Sequence, residues 1–539
     1  MKKLLLIFHT IRHLRPIQIR FQIWYRLRKF CHKKTGFRYP LLLEKQGNPL
    51  TFKQWIEKPS SYYGQTFTYL HVTCKYPGNK INWNENRYGR LWAYNLNYMD
   101  YLLQPGMDKE TGYRLIAQFI DDADSNETGL EAYPLALRGM NWIKFMAKHR
   151  TNTIDTRKKD PCDQKIIDSS LYAQYNILFK NIEYHLLGNH LLEDGFSLFF
   201  GSFYFREEKF FNKARNILQK ELNEQILNDG AHFELSPMYH QIILDRLLDC
   251  INLLENNTHF PEQENLLVLM KEKAVKMLSW LKKITFSNGQ IPLLNDAAPA
   301  IAPETEQLML YASRLNLSSE SSGIILSDSG YRRFDGKHYE CIIDIGQIGP
   351  SYQPGHAHAD TFNFVINIRN EPYLVDTGIS TYETGEDRLK ERGTAAHNTV
   401  TVNELNSSEV WSSFRVARRA RVKILHDTEE QVIAQHDGYR LLNTIHSREW
   451  RFSENNIRIT DTLTGKIKEG KAHLWLSPHI TPKQKGKTIE LKNANITFAN
   501  GKNVRVIKTR IPAGFNRFAE NSKIEISFDR QLETIISVM

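Results

Sequence analysis

Nothing in this 539-residue chain approaches the roughly 18 consecutive apolar residues that a membrane-crossing helix needs. Cysteine is scarce. The five present, at 31, 74, 162, 250 and 341, are scattered without one C-x-x-C pair. That argues against a disulfide framework and against a thiolate zinc site. No zinc finger, RNP motif or other nucleic-acid module is present, so the formal charge of +11 does not read as nucleic-acid recognition. No internal repeat and no low-complexity linker divides the chain. Acid is absent from its start, where the first carboxylate is Glu44. No small-residue cleavage site follows the short apolar run that ends at Phe8, so a cleavable signal peptide is not evident.

What is present is ordinary for a globular protein: 41 % apolar and 24 % charged residues. Aromatics reach 11 %, with 24 Tyr and 9 Trp, which suits a large core or a sugar-binding groove. Lys plus Arg is 71 against 60 acids, a balance that favours a polyanionic partner. With nucleic acid set aside, an acidic polysaccharide remains. Residues 11–30 are basic and amphipathic, with Ile17, Phe21, Trp24, Tyr25 and Leu27 apolar. Such an arm either lies on an anionic membrane surface or packs on the body as a first helix.

Periodicity divides the rest. From about 106 to 315 apolar residues recur at helical spacing, as at Leu171, Ile177, Leu178, Ile182 and Leu186, with Gly188 and Asn189 as stop signals. Ser236 and Pro237 read as N-cap and first residue of another helix. Beyond about 320 the texture changes to short, β-branched, alternating segments separated by turn residues, the pattern of an antiparallel sandwich. The expected organisation is an arm over 1–40, a helical domain over 41–318 and a β domain over 319–539.

The chemistry-bearing stretch is "SYQPGHAHADTFNF" at 351–364, which crowds His356, His358 and Asp360 into five residues. Asp376 follows in "LVDTG" and His397 in "RGTAAHNTV", each at the end of a predicted strand. Two imidazoles and a carboxylate gathered at one sheet edge suit zinc and leave room for water. Asp376 as a turn cap and His397 on a backbone carbonyl are the other reading. In the helical half, "GNHLLEDG" places Asn189 and His190 at a helix end, and "DGAHFELSPMYHQIIL" places Tyr239 and His240 in a first turn. There the positive end of the helix dipole favours a lowered phenol pKa.

These five motifs, in this order across roughly residues 85–480, resemble the signatures of the heparinase II/III-like polysaccharide lyases. The resemblance implies an incomplete (α/α) toroid followed by an antiparallel β-sandwich. It implies cleavage of a 4-linked, uronic-acid-containing glycan by β-elimination, giving a 4,5-unsaturated uronate. Asn189 then corresponds to the residue that neutralises the substrate carboxylate, with His190 beside it. Tyr239 corresponds to the acid/base tyrosine, His356 to the catalytic histidine and Tyr382 to a second tyrosine. His358, Asp376 and His397 correspond to ligands of a structural Zn2+. Because His356 and His358 would share one face of an extended segment, dividing their jobs requires a bend, which Gly355 permits.

Trp92, Asn95, His240, Arg388 and Arg392 are candidates for contact with the acidic sugar. Glu193, Asp194 and His240 are expected to support the reacting groups. Secreted relatives usually carry an obvious signal peptide, whereas this chain opens with the basic arm. A periplasmic or envelope location follows from the resemblance, and a cytoplasmic one from the missing cleavage site. Two other functions compete: a zinc hydrolase with Glu383 as base, and a non-catalytic protein that binds acidic glycans or assembles surface polysaccharide.

Overall fold

The computed structural model describes residues 2–149, 163–320 and 326–539. Helices Lys2–Ile11 and Pro16–Thr35 form the N-terminal arm. A small three-stranded sheet, Tyr62–Tyr63, Thr66–Tyr69 and Val72–Lys75, precedes helix Arg90–Tyr98. The long helices then follow one another: Lys109–Asp122, Ala132–Lys148, Gln164–Lys180, Gly188–Phe205, Glu208–Gln225, Pro237–Asn256 and Gln263–Ile284. Their apolar faces meet in one core, and Gly188–Phe205 is buried on all sides, so it stands at the centre of the helical layer. This is the toroid half.

One sequence reading is corrected here. Gly188 and Asn189 do not stop a helix. The helix Gln164–Lys180 ends earlier, and Gly188 opens the next one. Leu187 and Gly188 turn the chain with φ of 61° and 59°. A Cβ on Gly188 would also lie 2.5 Å from a Glu234 carboxylate oxygen. Asn189 and His190 therefore stand at a helix N-terminus, whose dipole end is positive.

The last helix of this half, Thr305–Arg314, precedes the first sandwich strand, Tyr331–Asp335. An eight-stranded antiparallel sheet runs, in spatial order, through Val422–Asp427, Gln431–His436, Ile445–Phe452, Asn456–Thr464, Gln531–Val538, Ala494–Ala499, Thr488–Leu491 and Lys483–Lys485. Facing it are two four-stranded sheets. One is Asn503–Pro512, Phe518–Phe528, Gly470–Trp475 and Val400–Val402; the other is Tyr331–Asp335, Tyr339–Asp344, Phe364–Ile368 and Glu371–Leu374.

The second of these joins the two halves. Every residue of Tyr339–Asp344 and of Phe364–Ile368 is buried. Cys341, Ile343, Phe364 and Ile366 pack into the sandwich core, while the alternate residues Ile342 and Val365 pack into the helical core. Strand alternation thus supplies one sheet with two cores, and the loops at its end are pressed against the toroid.

Candidate active site

A cleft of about 1200 Å³ lies between the halves and is lined by Asn189, His190, Tyr239, His356 and Tyr382. Helix Gly188–Phe205 brings the first two. Helix Pro237–Asn256 brings Tyr239, and Ser236 caps that helix by accepting from the Tyr239 N–H at 3.4 Å. The Ser236 hydroxyl also donates to the carbonyl of Asp296 at 2.8 Å.

Asp296 organises the centre. Its carboxylate is fully buried and accepts from Arg388 at 2.5 and 2.7 Å, from His356 Nδ1 at 2.9 Å and from His358 Nε2 at 2.8 Å. Burial alone would push its pKa up, but the guanidinium and the two imidazole donors hold it well below the usual range. An ionised Asp296 can only accept, so it fixes both rings. His356 carries its proton on Nδ1 and keeps the Nε2 lone pair. His358 carries its proton on Nε2 and keeps the Nδ1 lone pair. Neighbouring histidines are thus turned to different tasks by one carboxylate. Burial also lowers the pKa of His358 to about 4, which keeps it neutral.

His356 Nε2 lies 3.3 Å from the Asn189 amide nitrogen. The same amide donates to Glu234 at 2.9 and 3.1 Å, and the Asn189 backbone N–H does so at 3.1 Å. Burial raises the Glu234 pKa, yet His356, His232 and the Asn189 hydrogen bonds outweigh it and hold the group low. His190 packs on the Tyr133 ring at 4.7 Å, with Nδ1 2.8 Å from Glu183. Burial opposes its protonation, but Glu183 raises its pKa overall.

The Tyr239 and His356 rings face each other with centroids 3.9 Å apart. One comes from the helices and the other from the β domain. The Tyr239 hydroxyl is 3.1 Å from that of Tyr382. Burial raises both phenols far above their ordinary pKa, so the lowered pKa expected for Tyr239 from its place in a capped first turn is not found. Tyr239 is therefore a protonated donor at neutral pH.

His358 and His397 lie with ring centroids 5.2 Å apart. Among the described residues His358 Nδ1 and His397 Nε2 are buried without hydrogen-bond partners, as is one oxygen of Asp360. Asp376 accepts from His397 Nδ1 at 2.7 Å, from the Gly378 N–H at 2.9 Å and from Asn363. Among the described residues no group of three or more such side chains already converges as a metal site.

Of the five residues expected to touch sugar, only Asn95 lines the cleft. Trp92 is buried, its indole donating to the Val72 carbonyl at 3.0 Å. His240 is buried between the His232 N–H and the Met277 carbonyl. Arg388 lies behind the cleft on Asp296, and Arg392 is buried on the carbonyls of Ala357, Ser412 and Ser413. Their charge holds loops together instead of facing solvent. Glu383, the base that a hydrolase would need, accepts from the Arg90 N–H and caps helix Arg90–Tyr98.

Asp296, Glu234 and Glu183 were not singled out from sequence. Asp296 had a signal: it is the only charged residue between Lys283 and Glu304, and a lone carboxylate in an apolar stretch needs a buried partner. Arg415 was also missed. It lines the cleft, and its guanidinium has no ion pair or hydrogen bond among the described residues. Burial lowers its pKa.

Glu193 reaches the cleft floor beside Arg246, 3.4 Å away. Burial raises its pKa from 4.5 to about 7, against the pull of Arg246 and Lys58. The folded state therefore holds this proton more tightly than the unfolded chain. The linked stability is present below pH 4.5 and is lost as pH rises to about 7. It amounts to about 3 kcal/mol. Glu193→Gln should flatten that part of the thermal-midpoint profile, read by calorimetry; an unchanged profile would mean that Glu193 is ionised throughout.

Comparison with known proteins places this geometry. Residues 167–316 match the family described as Heparinase II/III N-terminus, and residues 321–538 match Heparinase II/III-like, C-terminal. A heparin-sulfate lyase of Bacteroides stercoris is 24 % identical over 322 residues, covering 53 % of this chain and 45 % of that protein. A heparin-sulfate lyase of Pedobacter heparinus is 24 % identical over 248 residues, covering 41 % and 36 %. The chain thus spans less than half the length of the curated relatives it matches. A solved structure of heparinase III superposes with a TM-score of 0.67 at 16 % identity, covering 86 % of this chain and 80 % of that one, which shows a shared fold.

Proposed function

Since this chain belongs to the heparinase II/III-like family, we propose that it is a polysaccharide lyase that cleaves a 4-linked, uronic-acid-containing glycan by β-elimination. The observation that carries this reading is the 3.9 Å contact between the rings of Tyr239, from the helical half, and His356, from the β domain, in the wall of one cleft. Elimination needs a base for the C5 proton, an acid for the C4 oxygen and a donor for the carboxylate that makes C5 acidic. His356 Nε2 is the base, since Asp296 occupies Nδ1–H and leaves the other lone pair beside the Asn189 amide at the cleft. Tyr239 is the acid, because burial keeps it protonated. Asn189, whose amide is shared with Glu234, is the donor to the substrate carboxylate.

The atoms balance. Nε2 takes the C5 proton, and the C5–H electrons become the C4=C5 double bond. The C4–O bond breaks, and its oxygen leaves with the Tyr239 proton. Solvent then returns the proton from His356 to Tyr239. Phe414, which meets the His356 and Tyr382 rings edge-on, offers an apolar wall to a pyranose. Arg415 offers a cation to acidic substituents.

A panel of heparan, alginate, hyaluronan and capsular polymers, followed in the ultraviolet, tests the assignment. The conjugated double bond should raise absorbance on at least one polymer. New reducing ends without that rise would mean hydrolysis, and binding without cleavage would mean a non-catalytic glycan receptor.

The donor chemistry suits zinc: among the described residues His358 and His397 each hold an unpartnered imidazole nitrogen, as Asp360 holds an unpartnered oxygen, and Asp376 is hydrogen-bonded to His397. His358, Asp376 and His397 would hold the ion, which when bound would cross-link the strand ends that present His356. Elemental analysis should find stoichiometric zinc in the wild type. His358→Ala should lose the metal and melt at lower temperature; a metal-free wild type would end the assignment.

A further inference from the structure

Surface helices normally turn their apolar stripe inward. The arm does so only in part: Ile17 packs on the helical core and Phe21 on the Tyr184 ring, while a second apolar stripe faces outward. Helix Pro16–Thr35 grips the body with polar groups as well as with the rings of Phe21 and Tyr25. Gln18 donates to Leu186 and Gln353, Tyr25 to the Ile182 carbonyl, and Arg28 to the Lys180 carbonyl. Its opposite face carries Ile19, Ile23, Leu27 and Phe30, spaced four, four and three residues apart. The last three are 54, 56 and 64 % exposed, with Trp24 beside them at 53 %. The first helix repeats the arrangement. Thr10 accepts from the Trp411 indole, while Leu4, Phe8 and Ile11 face solvent.

Cations flank this surface. Arg20, Arg26, Lys29, Lys33 and Lys34 are exposed, and none makes an ion pair among the described residues. The first 43 residues hold eleven Lys and Arg and no acid. A two-fold contact between copies would set cation against cation. A bilayer rich in anionic lipid accepts both the apolar stripe and the charge. No described helix is long and apolar enough to cross a membrane.

We propose that the outward faces of helices Lys2–Ile11 and Pro16–Thr35 form a docking surface for an anionic lipid bilayer. Gln353 and Leu186, which the arm grips, also line the cleft. The docked arm therefore lies along the cleft rim.

The test is sedimentation of the full chain with vesicles of phosphatidylcholine alone, or with one quarter phosphatidylglycerol, in about 0.1 M salt. The chain should pellet with the anionic vesicles only. The triple variant Ile23→Asp, Leu27→Asp, Phe30→Asp should bind at least about a hundred-fold more weakly, from the lost apolar burial. Arg20→Gln, Lys33→Gln, Lys34→Gln should weaken binding by about a hundred-fold through charge. Both variants should keep the wild-type melting temperature. No pelleting with anionic vesicles, undiminished binding of the apolar variant, or a dimer that this variant dissolves without any vesicle binding would overturn the proposal.

Discussion

Tyr239→Phe should lose about a thousand-fold in kcat on whichever acidic glycan the wild type cleaves, the scale of a missing general acid. The substitution removes one oxygen and leaves the ring against His356 at 3.9 Å. It breaks a single hydrogen bond, to Tyr382, so stability should change by about 1 kcal/mol. KM should barely move, because the lost proton transfer matters only as the C4–O bond breaks. The measurement is ultraviolet absorbance under initial-rate conditions, beside a thermal melt. Wild-type turnover in the variant would pass the acid role to Tyr382, the only other hydroxyl bonded to Tyr239 among the described residues, and Tyr382→Phe would then be the inactive one.

Asp296→Asn should be the more disruptive exchange, although Asp296 touches no substrate. An amide has one accepting oxygen where four donor contacts now converge. Arg388 is fully buried and would lose its counter-charge, a change worth about 3–5 kcal/mol of stability. The amide N–H₂ would also face His356 Nδ1 and favour the opposite tautomer. The proton would move to Nε2, toward the cleft, and the base would become a donor. The rate should fall by about 10⁴-fold, the size expected when a carboxylate that orients a catalytic histidine becomes an amide. A purely structural role predicts lower stability with an unchanged pH–rate profile. A positioning role predicts that the limb governed by the base is displaced or lost. Near-wild-type kcat in folded Asp296→Asn would leave the tautomer argument without support.

Local pattern carried much of this. The division into helices and then strands followed from a change of hydrophobic period near residue 320. The capped helix at Ser236 followed from capping chemistry, and Asn189, Tyr239 and His356 stood in motifs that the cleft brings together, with Tyr382 between two of the motifs. What escaped was set by partners far away in sequence. Asp296 and Arg388 are 92 residues apart, and Asn189 and His356 are 167 apart. Arg388, Arg392 and Trp92 carry the charge and rings expected of a sugar site, yet folding covered them.

The arm gives the same lesson in reverse. Its basic, amphipathic character was readable from the sequence alone. Which face met the body was decided by whether Gln18, Tyr25 and Arg28 found groups to bond and Ile17 and Phe21 found an apolar surface, and only the assembled toroid supplied those. Periodicity and capping act within a few residues, so the chain itself dictates them. Burial, tautomer and orientation depend on which distant atoms arrive to desolvate or pair a group, and those arrive only with the tertiary structure.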